Sequence, residues 1–250
     1  SNQDLFVIYM RKGLKGEDEV LLDPHPMSPD HTVSVGLRDV SKDGTLLAYQ
    51  VREGGADETT IHFMDIDSRK NLADQMPKGR YFSISMMPDK SGFYYSRLEK
   101  EGPRVYYHPM GTDLSTDKEI FGEGYGPDKI IGAGVSDDGR YLLINVFHGS
   151  AGQKTEVYFQ DLVKKGPIVT VVSDLDARFS PAIAGDHLFL QTNWSAPNGR
   201  GFDVDLRKPL RENWREVIPE GKAVVNGFSP VGGKLFVNYL ENVRSVVKVF

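Results

Sequence analysis

Hydrophobic residues in this chain come in short runs separated by turn residues. No segment keeps an i, i+3, i+4, i+7 apolar period for three turns of helix. The clearest unit is Val135-Ser136-Asp137-Asp138-Gly139-Arg140, followed by Tyr141-Leu142-Leu143-Ile144-Asn145-Val146. Asp-Gly supplies the positive-φ positions of a tight turn, and the aromatic and branched run after it suits a buried strand. The unit recurs. Val40-Ser41-Lys42-Asp43-Gly44 leads into Leu46-Leu47-Ala48-Tyr49, and Met87-Pro88-Asp89-Lys90-Ser91-Gly92 leads into Phe93-Tyr94-Tyr95. Phe179-Ser180-Pro181 runs through Gly185-Asp186 into Leu188-Phe189-Leu190, and Phe228-Ser229-Pro230 runs through Gly232-Gly233 into Leu235-Phe236-Val237. The aligned positions Ser41, Pro88, Ser136, Ser180 and Ser229 are 47, 48, 44 and 49 residues apart. A period of that length, built of strands and turns, predicts an all-β fold, a β-propeller of four-stranded blades.

Taken in order, Leu5 to Met10 and Glu19 to Asp23 read as two strands of a partial blade, with the turn at Gly13 to Gly16. Asp23-Pro24-His25-Pro26 ends the second, because proline cannot donate to the ladder. Complete units are expected from residue 35, from residue 81, from residue 130 and from residue 178, and a last unit of three strands from residue 225. The expectation is about four complete blades plus two partial ones, as a single propeller domain over residues 1–250. The chain enters and leaves in mid-strand, so it reads as a piece of a longer protein with apolar edges open to self-association.

Composition narrows the functional classes. At 250 residues the chain can bury a large core, and 39% hydrophobic residues is ordinary for a globular protein. The net charge of −5 and the lack of a basic stripe argue against nucleic acid as a partner. No apolar run approaches the roughly 18 residues of a membrane helix, so no membrane partner is expected. Cysteine is absent, which excludes disulfides, thiolate metal sites and a cysteine nucleophile.

Few residues carry chemistry. Gly134-Val135-Ser136-Asp137-Asp138 and Gly227-Phe228-Ser229-Pro230-Val231 both miss the last glycine of a nucleophile elbow, and they sit at blade turns. Their serines are expected to cap local backbone groups. The histidines, His25, His31, His62, His108, His148 and His187, form neither His-x-x-x-His nor His-Glu-x-x-His. Asp137-Asp138-Gly139 and Asp65-Ile66-Asp67 lack the oxygen count of a calcium loop. No metal and no other cofactor is therefore expected, and no catalytic residue is assigned.

Several stretches resemble the propeller of the prolyl oligopeptidase family of serine peptidases. They are Leu22-Asp23-Pro24, Asp39-Val40-Ser41-Lys42-Asp43-Gly44 with Ala48-Tyr49, Val105-Tyr106-Tyr107-His108 with Gly111-Thr112-Asp113, Ser136-Asp137-Asp138-Gly139-Arg140-Tyr141, Trp214 to Glu220 and Tyr239 to Val243. The resemblance implies a seven-bladed propeller covering an α/β-hydrolase domain that follows it in sequence. The propeller would admit only short peptides to a Ser-Asp-His triad outside this chain, and cleavage would follow proline. Phe82 matches a family phenylalanine that faces substrate, so Phe82 is the candidate substrate-binding residue. Ile130 stands where the family has a methionine. Phe147 stands where the family has an arginine that grips the peptide backbone, a departure from the pattern. Expected partners are short peptide substrates and the C-terminal hydrolase domain. Cytoplasmic location is expected, with the periplasm as the alternative. The rival readings are a stand-alone propeller acting as a protein-interaction scaffold, and a self-contained propeller enzyme.

Overall fold

The computed structural model describes residues 4–250. Every regular element among them is a β-strand or a single 3₁₀ turn. The strands β1 (Ile8–Arg11) and β2 (Asp18–Leu22) form a two-stranded sheet. Four four-stranded sheets follow. The first holds β3 (Val33–Val40), β4 (Leu46–Glu53), β5 (Thr59–Asp65) and β6 (Lys70–Gly79). The second holds β7 (Tyr81–Met86), β8 (Gly92–Glu99), β9 (Gly102–Pro109) and β10 (Lys118–Phe121). The third holds β11 (Ile130–Val135), β12 (Tyr141–Phe147), β13 (Thr155–Asp161) and β14 (Ile168–Val172). The fourth holds β15 (Phe179–Ala184), β16 (His187–Thr192), β17 (Arg200–Asp205) and β18 (Arg215–Ile218). A three-stranded sheet, β19 (Val224–Val231), β20 (Lys234–Glu241) and β21 (Arg244–Val249), completes the described chain. Within each sheet, chain order is spatial order. This repeated antiparallel meander is the propeller blade that the turn spacing predicts.

The chain divides into two compact units. One runs up to Pro127 and adds residues 131–134; the other holds residues 128–130 and 135–250. In the first unit Phe63, Phe93, Ile61, Met76 and Tyr95 form a buried cluster between the β3–β6 and β7–β10 sheets. In the second, Tyr141, Val157, Phe179, Leu188, Leu190 and Val204 do the same. These residues come from alternating strand positions, as a sheet with packed neighbours on its faces requires.

Two of the repeated turns share one atomic design. Ser136 accepts the Tyr141 N–H on its Oγ at 2.9 Å and donates that hydroxyl to Asp138 Oδ1 at 2.6 Å. Asp138 Oδ1 also accepts the Arg140 N–H at 3.1 Å. Ser41 and Asp43 repeat this with Leu46 and Thr45, at 2.9, 2.7 and 3.1 Å. Gly44 and Gly139 occupy φ of 70° and 73°, where a side chain would be strained. The expected capping role holds for Ser136, whereas Ser229 lies within β19, paired with Phe236, and is not a turn residue.

Several boundaries depart from the sequence expectation, and β15 and β19 run on through the expected turn residues Ser180-Pro181 and Ser229-Pro230. β1 begins at Ile8 rather than Leu5. β6 runs ten residues through Pro77. It is an outer strand with register breaks opposite Thr59–Ile61 and His62–Met64, so it accommodates the proline. β9 starts at Gly102, because Gly102 and Pro103 pair with Glu99 and Leu98.

Candidate functional site

The first strands of two successive sheets carry the candidate site, and both are bulged. In β3 the pairing steps from Leu37–Tyr49 to Asp39–Ala48, leaving Arg38 as the extra residue. In β7 it steps from Tyr81–Arg97 to Ser83–Ser96, leaving Phe82 as the extra residue. A bulge takes one residue out of the ladder and re-aims its side chain. Phe82, the residue singled out from the sequence, is thus half-buried and displayed from a bulge, with the Arg80 guanidinium 5.8 Å from its ring centroid.

The bulge is pinned from three directions. Arg38 Nη2 donates to the Tyr81 carbonyl at 3.1 Å, one residue before Phe82. Asp39 Oδ2 accepts the Met86 N–H at the far end of β7 at 2.7 Å. The Ala133 N–H donates to Ser83 Oγ at 2.9 Å, one residue after Phe82. A ring on backbone held this way keeps its orientation without help from a ligand.

Arg38 and Arg52 are functional candidates that the sequence reading missed. Arg38 Nη1 reaches Gln50 Oε1 at 3.5 Å. Gly36 leaves room for that amide, since a Cβ there would lie 3.0 Å from Gln50 Nε2. Burial, then the like charge of Arg52, pushes the Arg38 pKa down. Arg52 Nε is buried with no hydrogen-bond partner, and neither guanidinium has a carboxylate partner among the described residues. Two half-buried cations, one of them bonded to the backbone that carries Phe82, suit a ligand with carbonyl or carboxylate oxygens as well as an apolar ring. The only signal in the sequence was two arginines in strand positions, and that does not distinguish them from solvated surface charges.

Other predicted positions behave differently. Phe147 ends β12 and is 38% exposed, paired across the ladder with Thr155. Neighbouring His148 places Nε2 2.6 Å from Glu156 Oε1, and Tyr158 donates to Glu156 Oε2 at 2.6 Å. His62 stacks on Tyr49 and contacts Thr60 Oγ1 at 3.0 Å, so its ring is satisfied within the strand. In the second unit a cleft of about 380 Å³ lies among Phe189, Val217, Leu235 and Phe250. Its polar edge is internally paired: His187 Nδ1 is 2.7 Å from Asp203 Oδ1, and Arg215 donates to Asp203 Oδ2 at 2.6 Å. Ser41 and Ser136 face aspartate and backbone N–H groups, with no imidazole to act as base.

Repeated four-stranded antiparallel sheets, with side chains displayed from bulged first strands, define a β-propeller domain. A family model described as the prolyl oligopeptidase N-terminal β-propeller domain matches residues 1–250, and the chain belongs to that family. It is 33% identical to a prolyl endopeptidase of Elizabethkingia meningoseptica, over 98% of this chain and 36% of the relative. Against the prolyl endopeptidase of Elizabethkingia miricola the identity is 30% over the same shares, 98% and 36%. A solved prolyl endopeptidase structure superposes with a TM-score of 0.89 at 32% identity, covering 97% of this chain and 37% of that one. Prolyl oligopeptidase B of Galerina marginata, solved with a 35-residue hydrolysis and macrocyclisation substrate, superposes at 0.81 with 25% identity over 93% of this chain. The chain thus spans little more than a third of the length of these relatives, and the matched third is their propeller.

Proposed function

We propose that this chain is the substrate-gating propeller of a serine peptidase that cleaves short peptides after proline. It shapes the path and one wall of the site, and the acyl transfer belongs to a hydrolase domain outside these residues. The observation that carries the reading is Phe82: a half-buried ring on a bulge fixed at Tyr81, Ser83 and Met86, in a chain of this family. Arg38 and Arg52 would meet the oxygens of the same peptide. Short peptides and the hydrolase domain are the partners this reading requires. The β21 edge, with Val247, Val249 and Phe250 more than half exposed, supports a further tendency to pair with another strand.

The test is Phe82→Ala in the complete protein, assayed with a fluorogenic peptide containing proline. Loss of a ring that only holds substrate raises KM with little change in kcat, by about tenfold for ~1.4 kcal/mol of contact. Unchanged kcat/KM would remove Phe82 from the substrate site. The 250-residue chain alone is expected to show no turnover of the same peptide.

A further inference from the structure

Away from Arg38 and Phe82, a second cluster of side chains has chemistry that the gating role does not use. Asp4 precedes β1, whereas His25 and His31 lie on the connection from β2 to β3. Folding brings them together. His25 Nε2 is 3.0 Å from Asp4 Oδ1, and His31 Nδ1 is 2.7 Å from Asp4 Oδ2. The two imidazoles meet edge to face with centroids 5.1 Å apart. One ligand atom from each of the three residues lies within 4.8 Å of the other two.

The far side of His25 is also arranged. Its Nδ1 is 2.6 Å from Asp23 Oδ1, which accepts the His25 backbone N–H as well, at 3.0 Å. With Nδ1–H held by Asp23, Nε2 faces the cluster, and it offers a lone pair to a cation once its proton toward Asp4 is displaced. This carboxylate–imidazole pairing is how proteins orient histidine ligands and raise their basicity. His31 sits on a turn at φ 54°, followed by Thr32, whose hydroxyl donates to Asp30 at 2.9 Å.

We propose that Asp4, His25 and His31 bind one first-row divalent cation, Zn²⁺ foremost, with Asp23 as the positioning residue behind His25. Two imidazoles and one carboxylate suit zinc, nickel or copper, whereas calcium and magnesium take oxygen ligands. Three protein ligands leave the fourth tetrahedral position to water. Zinc bonds of about 2.0–2.2 Å set neighbouring donors roughly 3.3 Å apart. The Asp4 contacts of 3.0 and 2.7 Å therefore need to open by a few tenths of an ångström, and the widest separation in the cluster, within 4.8 Å, needs to close by up to about 1.5 Å, on side chains at the surface. A bound ion would clip the segment before β1 to the β2–β3 connection and stabilise that fold by mass action.

The experiment uses chelator-treated, untagged chain titrated with ZnCl₂ by calorimetry, with melting temperature followed in parallel. One saturating Zn²⁺ per chain is expected, with a rise in melting temperature that Ca²⁺ does not reproduce. Asp4→Asn and His31→Ala should each weaken binding at least tenfold. Asp23→Asn should weaken it by about 10–100-fold while leaving the metal-free melting temperature in place, which separates positioning from structural support. His187→Ala, in the other unit, should bind as the parent does. Asp4 is an exposed ligand, so Asp4→Asn tests the site without threatening the fold. Failure to saturate at a tenfold excess of Zn²⁺, or unchanged affinity in the Asp4→Asn/His31→Ala double variant, would overturn the proposal.

Discussion

Two histidines of the first unit have nearly the same immediate partners and opposite surroundings. His108 on β9 sets Nδ1 2.7 Å from Asp117 and Nε2 3.3 Å from Asp74. His25 sets Nδ1 2.6 Å from Asp23 and Nε2 3.0 Å from Asp4. The His108 side chain is 1% exposed and that of His25 is 23% exposed. Burial decides what each can do. Around His108 both ring nitrogens are paired inside the protein: Asp117 also accepts the Tyr95 hydroxyl at 2.8 Å, and Asp74 accepts the Gly111 N–H at 2.6 Å. That knot ties β6 of one sheet to β9 and the 110–117 loop of the next, with Phe93 packed on the imidazole at 5.0 Å. Around His25 the same pairing faces solvent, a second imidazole stands beside it, and the donors remain accessible. A satisfied buried cluster is structural, whereas an open one can take a ligand.

The largest test of this contrast removes the buried ring. His108→Ala should cost about 3 kcal/mol or more, because two buried carboxylates lose their shared partner. A urea midpoint close to that of the parent would show that the knot is not a fastening. A middle-sized effect is expected at high pH. Burial and the hydrogen bond to Asp117 raise the Tyr95 pKa above the ordinary tyrosine value of 10.0. Above pH 10 the unfolded chain therefore releases a proton that the folded chain keeps, so stability falls as pH rises. Tyr95→Phe removes that linkage and should flatten the alkaline loss of stability; equal slopes for parent and variant would contradict it. The smallest effect belongs to the exposed ring. In metal-free buffer His25→Ala should leave the melting temperature where it was, because exposed pairs contribute little. A large drop there would erase the distinction between the two clusters.

Much of the fold was legible because its signals are local. The Ser-x-Asp-Gly turn closes on itself within six residues, from Ser136 to Tyr141 and from Ser41 to Leu46. Its chemistry could therefore be read from composition and spacing alone. The capping role of Ser136 followed by the same logic, whereas Ser229, aligned with it by spacing, lies within β19. Phe82 was found only through family resemblance. Nothing in Tyr81-Phe82-Ser83 marks a bulge, since the ladder slips to suit partners on β8. Arg38 was invisible for the same reason, because its partner is a carbonyl 43 residues away. Partners of His108 and His25 lie 34 and 21 residues off in the chain. No spacing motif spans such gaps.

What the sequence determined by itself is the repeat: short period-two strands, turn glycines at positive φ, and a blade period that commits the chain to antiparallel meanders. Local backbone preferences and alternate burial are enough for that. What only the tertiary structure decided is which side chains meet. Arg38 with Tyr81, His108 with Asp74 and Asp4 with the two histidines are contacts between elements, set by how sheets pack and where ladders slip. Those choices depend on the summed burial of many residues, which no single stretch of sequence carries.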